Sequence, residues 1–499
     1  MQQKPSAVII GAGVAGLAAS VRLAIQGFDV KVFEQSDKPG GKLGYFETQG
    51  YHFDTGPSLF TQPDNIEELF ALANEPIESY FSYRKMPDSC TYFYEDGTVV
   101  RASADIEKFA ATIEQQTGEP AENIKRYLSA SGKLYENVAN IFLNHSLHKR
   151  SVLWKSPIAK ALKTVRPSHI FKSLHRLNSS GFREKKVVQL FNRYATYNGS
   201  NPYKAPGMLS LIPHLEHNEG TFYPEGGMIS ITHALFSLAQ KKGVQFFFNQ
   251  PVERIIRYNN QAKGVVVDGK NIEASIVISN VDAYFTYMRL LNDQEKARKI
   301  LKQERSSSAL IFYWGIKKEF AELGLHNIFF SEDYEKEFDH IFRLKKVYAD
   351  PTVYVNITSK CEPGKQAPVG KENWFVMINV PANIGQHWDD LKTRCRVLII
   401  EKLNRMLKTD LSSLIETENI LDPVLIETAT GSYQGSLYGT SSNSRMAAFM
   451  RHPNFSRDIE GLYFVGGSVH PGGGIPLCLK SAKIMSELVQ SDQQRKKHS

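Results

Sequence analysis

The chain is poor in cysteine. Its 499 residues hold Cys90, Cys361, Cys395 and Cys478 alone, far apart and with no C-x-x-C pair. That pattern suggests neither a disulfide framework nor a metal cluster, and it fits a reducing, cytoplasmic setting. No metal site is expected. Runs of about eighteen apolar residues, the length of a bilayer span, are missing. The chain enters a strand within a few residues of Met1, leaving no room for a signal peptide. Internal repeats and low-complexity stretches are lacking, and no spacing suggests a Ser/His/Asp triad or paired catalytic carboxylates. What is there is globular material: 42% hydrophobic and 11% aromatic residues can fill a core, and the length predicts two or three domains.

The most informative local pattern is at the start. Ala7-Val8-Ile9-Ile10 reads as a buried strand and runs into Gly11-Ala12-Gly13-Val14-Ala15-Gly16. A helical run to Gln26 follows, closed by Gly27, and a second strand from Val30 to Phe33 ends at Glu34 and Gln35. A lone G-x-G-x-x-G is weak, but here its whole βαβ context is present. Gly11 permits the tight turn, Gly13 lets the backbone approach a pyrophosphate, and Gly16 lets the helix lie close on the strand. The pyrophosphate would sit on the helix N-terminus beside Ala15, where free N–H groups and the positive dipole end favour anions. Glu34 is placed to accept hydrogen bonds from an adenosine ribose and disfavours a 2′-phosphate.

The net charge is +8 and unevenly spread. Between Leu147 and Lys186 there are eleven basic residues and one acid, Glu184. Trp154, Ile158, Leu162, Ile170 and Phe171 are interleaved among the basic residues. Such a segment suits an anionic bilayer surface. A solvated helical face competes with that reading, and no nucleic-acid motif accompanies the charge, so no nucleic acid is expected as partner.

Organisation follows from alternating patterns. Thr91-Tyr92-Phe93-Tyr94 looks like an edge strand, and helical runs fill Asp105 to Leu147. Val265-Val266-Val267, Gly269 and Ile276 to Asn280 suggest a hairpin returning to the nucleotide sheet. Ala309–Trp314, Val353–Ile357 and Trp374–Val380 read as strands between Gly/Pro loops. The expected class is α/β: a Rossmann-like dinucleotide-binding domain with an inserted mixed β-sheet substrate domain and a helical membrane-facing region. The dinucleotide-binding parts are placed at 1–80, 223–290 and 431–499, the substrate parts at 81–145 and 291–430, and the basic helical region at 146–222.

The last motif completes the picture. Gly461-Leu462-Tyr463-Phe464-Val465-Gly466-Gly467-Ser468 is a strand running into glycines. Val469-His470-Pro471-Gly472-Gly473-Gly474-Ile475-Pro476 then opens a helix. Bare backbone before a helix N-terminus suits a flat electron-rich ring that gains negative charge on reduction. At these residues the chain resembles the bacterial carotenoid (phytoene-type) desaturases of the flavoprotein amine oxidase superfamily. Pro39-Gly40-Gly41-Lys42 resembles the family's second glycine motif, with Lys42 where arginine is common. Phe53-Asp54-Thr55-Gly56-Pro57-Ser58 resembles the segment beneath the isoalloxazine. Tyr223 to Met228 resembles the block before the flavin domain, and Val252 after Pro251 the backbone contact to adenine. Ser468 stands where other members carry aspartate. Arg193-Tyr194-Ala195-Thr196-Tyr197, Gly199 to Tyr203 and Ser441 to Met446 resemble the subgroup acting on hydroxylated ends, the 1-hydroxy-carotenoid 3,4-desaturases, most of all those of flavobacteria.

The resemblance implies FAD as cofactor, a lipophilic carotenoid as substrate and a narrow apolar tunnel opening at the membrane surface. The enzyme would be cytoplasmic and peripheral on the cytoplasmic membrane. It also implies hydride transfer to the flavin, with Gly11, Gly13, Ala15, Gly16, Glu34, Gln35, Gly41, Lys42, Gly56, Pro57, Ser58, Val252, Gly467, Ser468, Gly474, Ile475 and Pro476 around the cofactor. Only one strand–GxGxxG–helix unit occurs, which points to reoxidation by oxygen or a quinone. The catalytic side chain stays open: His470 and Arg445 are the candidates, with Arg193 and Tyr197 as further hydroxyl-binding candidates, each equally readable as structural. Cys478 reads as core. Phe312, Tyr313, Trp314, Trp374 and Phe375 read as either core or tunnel wall. Competing activities are a phytoene- or lycopene-type desaturase, a carotenoid isomerase and an amine oxidase.

Overall fold

The computed structural model describes residues 4–146, 148, 164–444, 447 and 451–498. Arg445 and residues 147 and 149–163 of the basic stretch lie outside the described residues.

Apolar residues without alternation make strands that are covered on both faces. Ser6–Ile10 is such a strand and sits at the centre of a five-stranded sheet in the order Leu462–Phe464, Ile276–Ser279, Ser6–Ile10, Asp29–Phe33, Gln245–Phe247. Every neighbouring pair is parallel, with Ile9 opposite Val32 on one side and Ile278 on the other. Successive side chains on a strand point to opposite faces, and they go to different cores. Ala7, Ile9, Ile278 and Val465 pack with helices Val14–Ile25, Ile229–Lys241 and Ile475–His498 through Leu17, Leu235, Leu238 and Leu479. Val8, Ile10, Val277 and Phe464 pack with a three-stranded antiparallel sheet, Val252–Tyr258, Gln261–Val267 and Lys270–Glu273, through Ile255, Val265 and Val267. This corrects the expected hairpin: Gln261–Val267 turns back into Lys270–Glu273 within this separate sheet, and not into Ile276–Ser279. Its turn residues Asp268 and Gly269 both have positive φ, 48° and 69°, the pair that a tight two-residue hairpin requires. The next strand then rejoins the parallel sheet.

A second sheet of seven strands runs in the order Ile415–Leu421, Ser308–Ile316, Glu372–Val380, Val353–Ile357, His326–Phe329, Asp88–Phe93, Val99–Ser103. It is antiparallel except where His326–Phe329 lies parallel to Asp88–Phe93. This corrects the edge reading of Thr91–Tyr94: that strand has a neighbour on each side, and Val99–Ser103 is the edge. Its second neighbour lies more than two hundred residues away, beyond any local pattern.

The two faces of this sheet have separate fates. Phe312, Trp314, Trp374 and Val376 pack under helix Trp388–Leu407 with Ile399 and Leu403. Ala309, Ile311, Tyr313, Phe375 and Met377 face the other way and line a cavity. Helices Ile106–Thr117, Ala121–Phe142, Leu174–Gly181 and Lys185–Asn192 form a further layer. Within the described part of the basic helical region, Leu174, Phe182, Val187, Val188, Leu190 and Phe191 join the core of that layer. Ile170 and Phe171 stay at the surface, 41% and 61% exposed, beside the exposed Arg166, Lys172 and Arg176.

Candidate active site

One cavity of about 990 Å³ runs from the carboxyl ends of the parallel sheet to the inner face of the seven-stranded sheet. Gly11, Gly13, Ala15, Glu34, Gln35, Gly41, Lys42, Gly56, Pro57, Ser58, Val252, Gly467, Ser468, Gly474, Ile475 and Pro476 all line it. Gly16 does not line it. A β-carbon there would meet the Gly11 carbonyl oxygen at 2.1 Å, so its role is to let helix Val14–Ile25 close on the turn.

That helix begins at Gly13 with no side-chain cap and no acid in its first turn. Helix Ile475–His498 also starts at the cavity without an acid in its first turn. Two positive dipole ends thus face one space, an arrangement suited to an anionic, dinucleotide-like group. Glu34 ends the second strand and anchors the turn: its Oε2 accepts from the Ala12 N–H at 2.7 Å and its Oε1 from the Ser36 N–H at 2.9 Å. Each carboxylate oxygen keeps a further lone pair for a ligand hydroxyl. Asn280, at the end of strand Ile276–Ser279, braces the same turn. With its carboxamide turned to match its neighbours, its oxygen accepts from Gly13 N at 3.2 Å and Gly16 N at 3.3 Å.

Across from the turn, Gly56 fits so closely that a β-carbon would stand 2.0 Å from the Lys42 carbonyl oxygen. Lys42 Nζ donates to the Leu437 carbonyl at 2.9 Å. Burial pushes its pKa down to about 8, against the pull of Asp282. Asp282 is itself paired with Arg305 at 2.5 Å. Arg451 ties the neighbouring loop to the glycines after strand Leu462–Phe464, donating to Tyr438 O at 2.9 Å, Thr440 O at 2.8 Å and Gly467 O at 3.3 Å. The Ser468 hydroxyl accepts from Ala283 N at 3.1 Å. His470 also lines the cavity. Its Nε2 donates to the His145 carbonyl at 3.0 Å, leaving Nδ1 as the bare nitrogen, buried and without a partner. Burial pushes its pKa down to about 4, so the ring is neutral near pH 7. Cys478 stands on the lining one turn into the last helix, its thiol pushed up to about 11 by burial.

The far end of the cavity is mostly apolar, with Leu59, Val138, Met208, Ile212, Ile311 and Met377 on its walls. A polar cluster interrupts it. Arg193 donates to Glu216 Oε1 and Oε2 at 2.8 Å each and to the Tyr92 hydroxyl at 2.7 Å, and Tyr197 donates to Glu216. Glu216 sits on the wide turn Leu215–Glu219, a π-helical turn of the kind often found at functional sites. Burial pushes its carboxyl up, but the Arg193 guanidinium outweighs this and holds it near 2. His326 and Tyr354, on neighbouring strands, complete this wall. Arg193 and Tyr197 were legible as candidates; Glu216, His326, Asn280 and Asp282 were not. The sole available signal was positional: Asn280 and Asp282 follow a strand of the parallel sheet, at whose carboxyl ends ligands bind.

Comparison with known proteins places this architecture. Residues 14–490 match the family described as flavin containing amine oxidoreductase. The chain is 50% identical over 483 residues to a 1-hydroxycarotenoid 3,4-desaturase of Flavobacterium sp. (strain P99-3), covering 97% of this chain and 98% of that one. It is 30% identical over 496 residues to a 4,4′-diaponeurosporene oxygenase of Staphylococcus haemolyticus (strain JCSC1435), covering 98% of each. Among solved structures, an oxidoreductase from Methanosarcina mazei shares the fold with a TM-score of 0.63 at 17% identity, over 97% of this chain and 100% of that one.

Proposed function

The chain belongs to the flavin containing amine oxidoreductase family, and from that premise we propose that it is an FAD-dependent carotenoid desaturase that introduces a C3–C4 double bond into a 1-hydroxylated carotenoid end. The observation that carries this reading is one continuous cavity, with backbone N–H groups and Glu34 at one end and an apolar sheet face at the other. Half of the residues are shared with a 1-hydroxycarotenoid 3,4-desaturase along nearly the whole chain.

The residues present fit FAD. The helix ends at Gly13 and Gly474 would hold the pyrophosphate and the ring edge, Glu34 the ribose, and Val252 the adenine. When bound, FAD supplies a hydride acceptor. The protein's own part is to hold a long apolar chain in register against Ile311, Tyr313 and Met377, and to keep water out. The cation left by hydride loss spreads along the polyene, so the neighbouring proton needs only a weak base. We assign that role to the bare Nδ1 of His470. His470→Asn then slows flavin reduction with flavin content intact, and an unchanged rate returns the role to water.

The one strand–GxGxxG–helix unit in the sequence supports an electron acceptor such as oxygen or a quinone over a nicotinamide. The protein works at the cytoplasmic membrane surface, where its substrate dissolves. Exposed Ile170 and Phe171 between Arg166, Lys172 and Arg176 support that placement. Among the described residues no helix is long and apolar enough to cross a membrane.

The test is anaerobic mixing of FAD-loaded protein with liposomes carrying a 1-hydroxy carotenoid or its non-hydroxylated counterpart. Flavin bleaching with a red-shifted polyene from the hydroxylated substrate alone supports the reading. Bleaching with both removes the hydroxyl requirement, and an oxidised flavin throughout removes desaturation.

A further inference from the structure

His326 breaks the apolar wall of the substrate half of the cavity while being only 3% exposed. Its neighbours fix which nitrogen carries the hydrogen. The Leu325 carbonyl can only accept, so the Asn356 NH₂ faces it at 3.0 Å, and the same NH₂ reaches His326 Nδ1 at 3.1 Å. The Tyr354 hydroxyl lies 2.7 Å from that Nδ1 and 2.8 Å from Ser58 Oγ. Tyr354 therefore accepts from Ser58 and donates to the imidazole. Burial pushes the ring's pKa down to about 4, which keeps it neutral. Nδ1 is thus the acceptor and Nε2 carries the N–H. That Nε2 is buried and has no hydrogen-bond partner in the protein.

A buried donor left bare is expensive, and native interiors rarely keep one without a reason. Here the donor belongs to a residue lining a cavity meant for a ligand. The Arg193–Glu216 pair lines the same cavity, near enough for both charges to act on His326. Tyr197 spends its hydrogen on Glu216, so towards a ligand its oxygen can only accept.

We propose that His326 is the residue that reads the substrate's terminal hydroxyl. Its Nε2–H donates to the hydroxyl oxygen at C1, and the hydroxyl's own hydrogen turns towards the Arg193–Glu216–Tyr197 cluster. This rests on the substrate assignment above and names the residue that enforces it. His326 is joined through the Tyr354 hydroxyl to Ser58, which belongs to the segment assigned beneath the flavin. An end without the hydroxyl leaves the imidazole N–H unpaired, a strong basis for rejection.

The experiment measures anaerobic flavin reduction by FAD-loaded parent, His326→Phe, His326→Leu and His326→Gln proteins. Liposomes carry the 1-hydroxy carotenoid or its non-hydroxylated counterpart. The parent is expected to favour the hydroxylated end roughly tenfold to a hundredfold. The Phe and Leu variants bring that ratio to within about threefold. The Gln variant, whose amide can place an N–H near the lost Nε2, recovers part of it. Two apolar variants are used so that one with a full flavin complement remains if the other fails to fold. A ratio unchanged in that variant, or a Gln variant no better than the apolar ones, overturns the proposal while the substrate assignment stands. A parent that treats both polyenes alike, or oxidises neither, overturns the substrate assignment and this proposal with it.

Discussion

Gly16 and Gly11 lie so close that a β-carbon on Gly16 would stand 2.1 Å from the Gly11 carbonyl oxygen. That carbonyl is backbone and cannot rotate away. The glycine pattern is therefore a packing requirement of the turn as much as a ligand contact.

Gly16→Ala should push helix Val14–Ile25 off the sheet and spoil the N–H groups aimed into the cavity. The expected result is FAD affinity weaker by about tenfold to a hundredfold and a lower melting temperature, as overpacking typically costs ~1–3 kcal/mol. Fluorescence titration of the apoprotein with FAD checks it. Unchanged affinity would mean the turn is not where the cofactor binds.

Neighbouring residues of strand Ser308–Ile316 should respond in opposite ways. Ile311 faces the cavity and Phe312 the helix-covered core. Ile311→Trp is expected to leave flavin content intact and cut polyene turnover by about a hundredfold, since misplacing a substrate by an ångström costs that much. Phe312→Ala should instead lose about 3–5 kcal/mol of stability. Urea unfolding and turnover on both variants separate the two effects, and equal behaviour would refute the assigned faces.

Acid should weaken the fold through its buried imidazoles. His217 is 3% exposed and stacked on Phe109 at 4.5 Å, and burial lowers its pKa to about 4. Its unfolded value is about 6.5, so between those values the unfolded chain holds more protons. Stability is full above about pH 6.5 and falls as the pH drops towards 4. Asp54, raised to about 6 by burial, works in the opposite sense, so the comparison must isolate one group. From pH 7 to pH 5 the parent should lose on the order of 2 kcal/mol more than His217→Gln. Parallel stability–pH curves would contradict a neutral, buried His217.

Local chemistry was legible in the sequence and distant pairing was not. The glycine turn, Glu34 and the Val469–Pro476 loop each announce themselves within a few residues, because a turn and a helix start are local events. The aromatic strands were legible as strands. Which of Tyr313 and Trp314 faces a cavity depends on the partner sheet and on helix Trp388–Leu407, neither of which a window of sequence contains. The misjudged strand Asp88–Phe93 and the unpredicted His326 share one cause: each is set by the parallel pairing of segments far apart in the chain. The glutamate that neutralises Arg193 sits on an irregular turn that no periodicity signals.

The strand order of the parallel sheet also dictates an order of assembly. Its central strand and the neighbour Asp29–Phe33 are made first, Gln245–Phe247 and Ile276–Ser279 come from the middle of the chain, and Leu462–Phe464 closes the edge with the last glycine motif beyond it. A nascent chain therefore carries the first glycine turn through most of its synthesis without the last glycine loop. With FAD placed as proposed, cofactor capture is a late event, and the bound dinucleotide acts as a clasp between the two ends of the polypeptide.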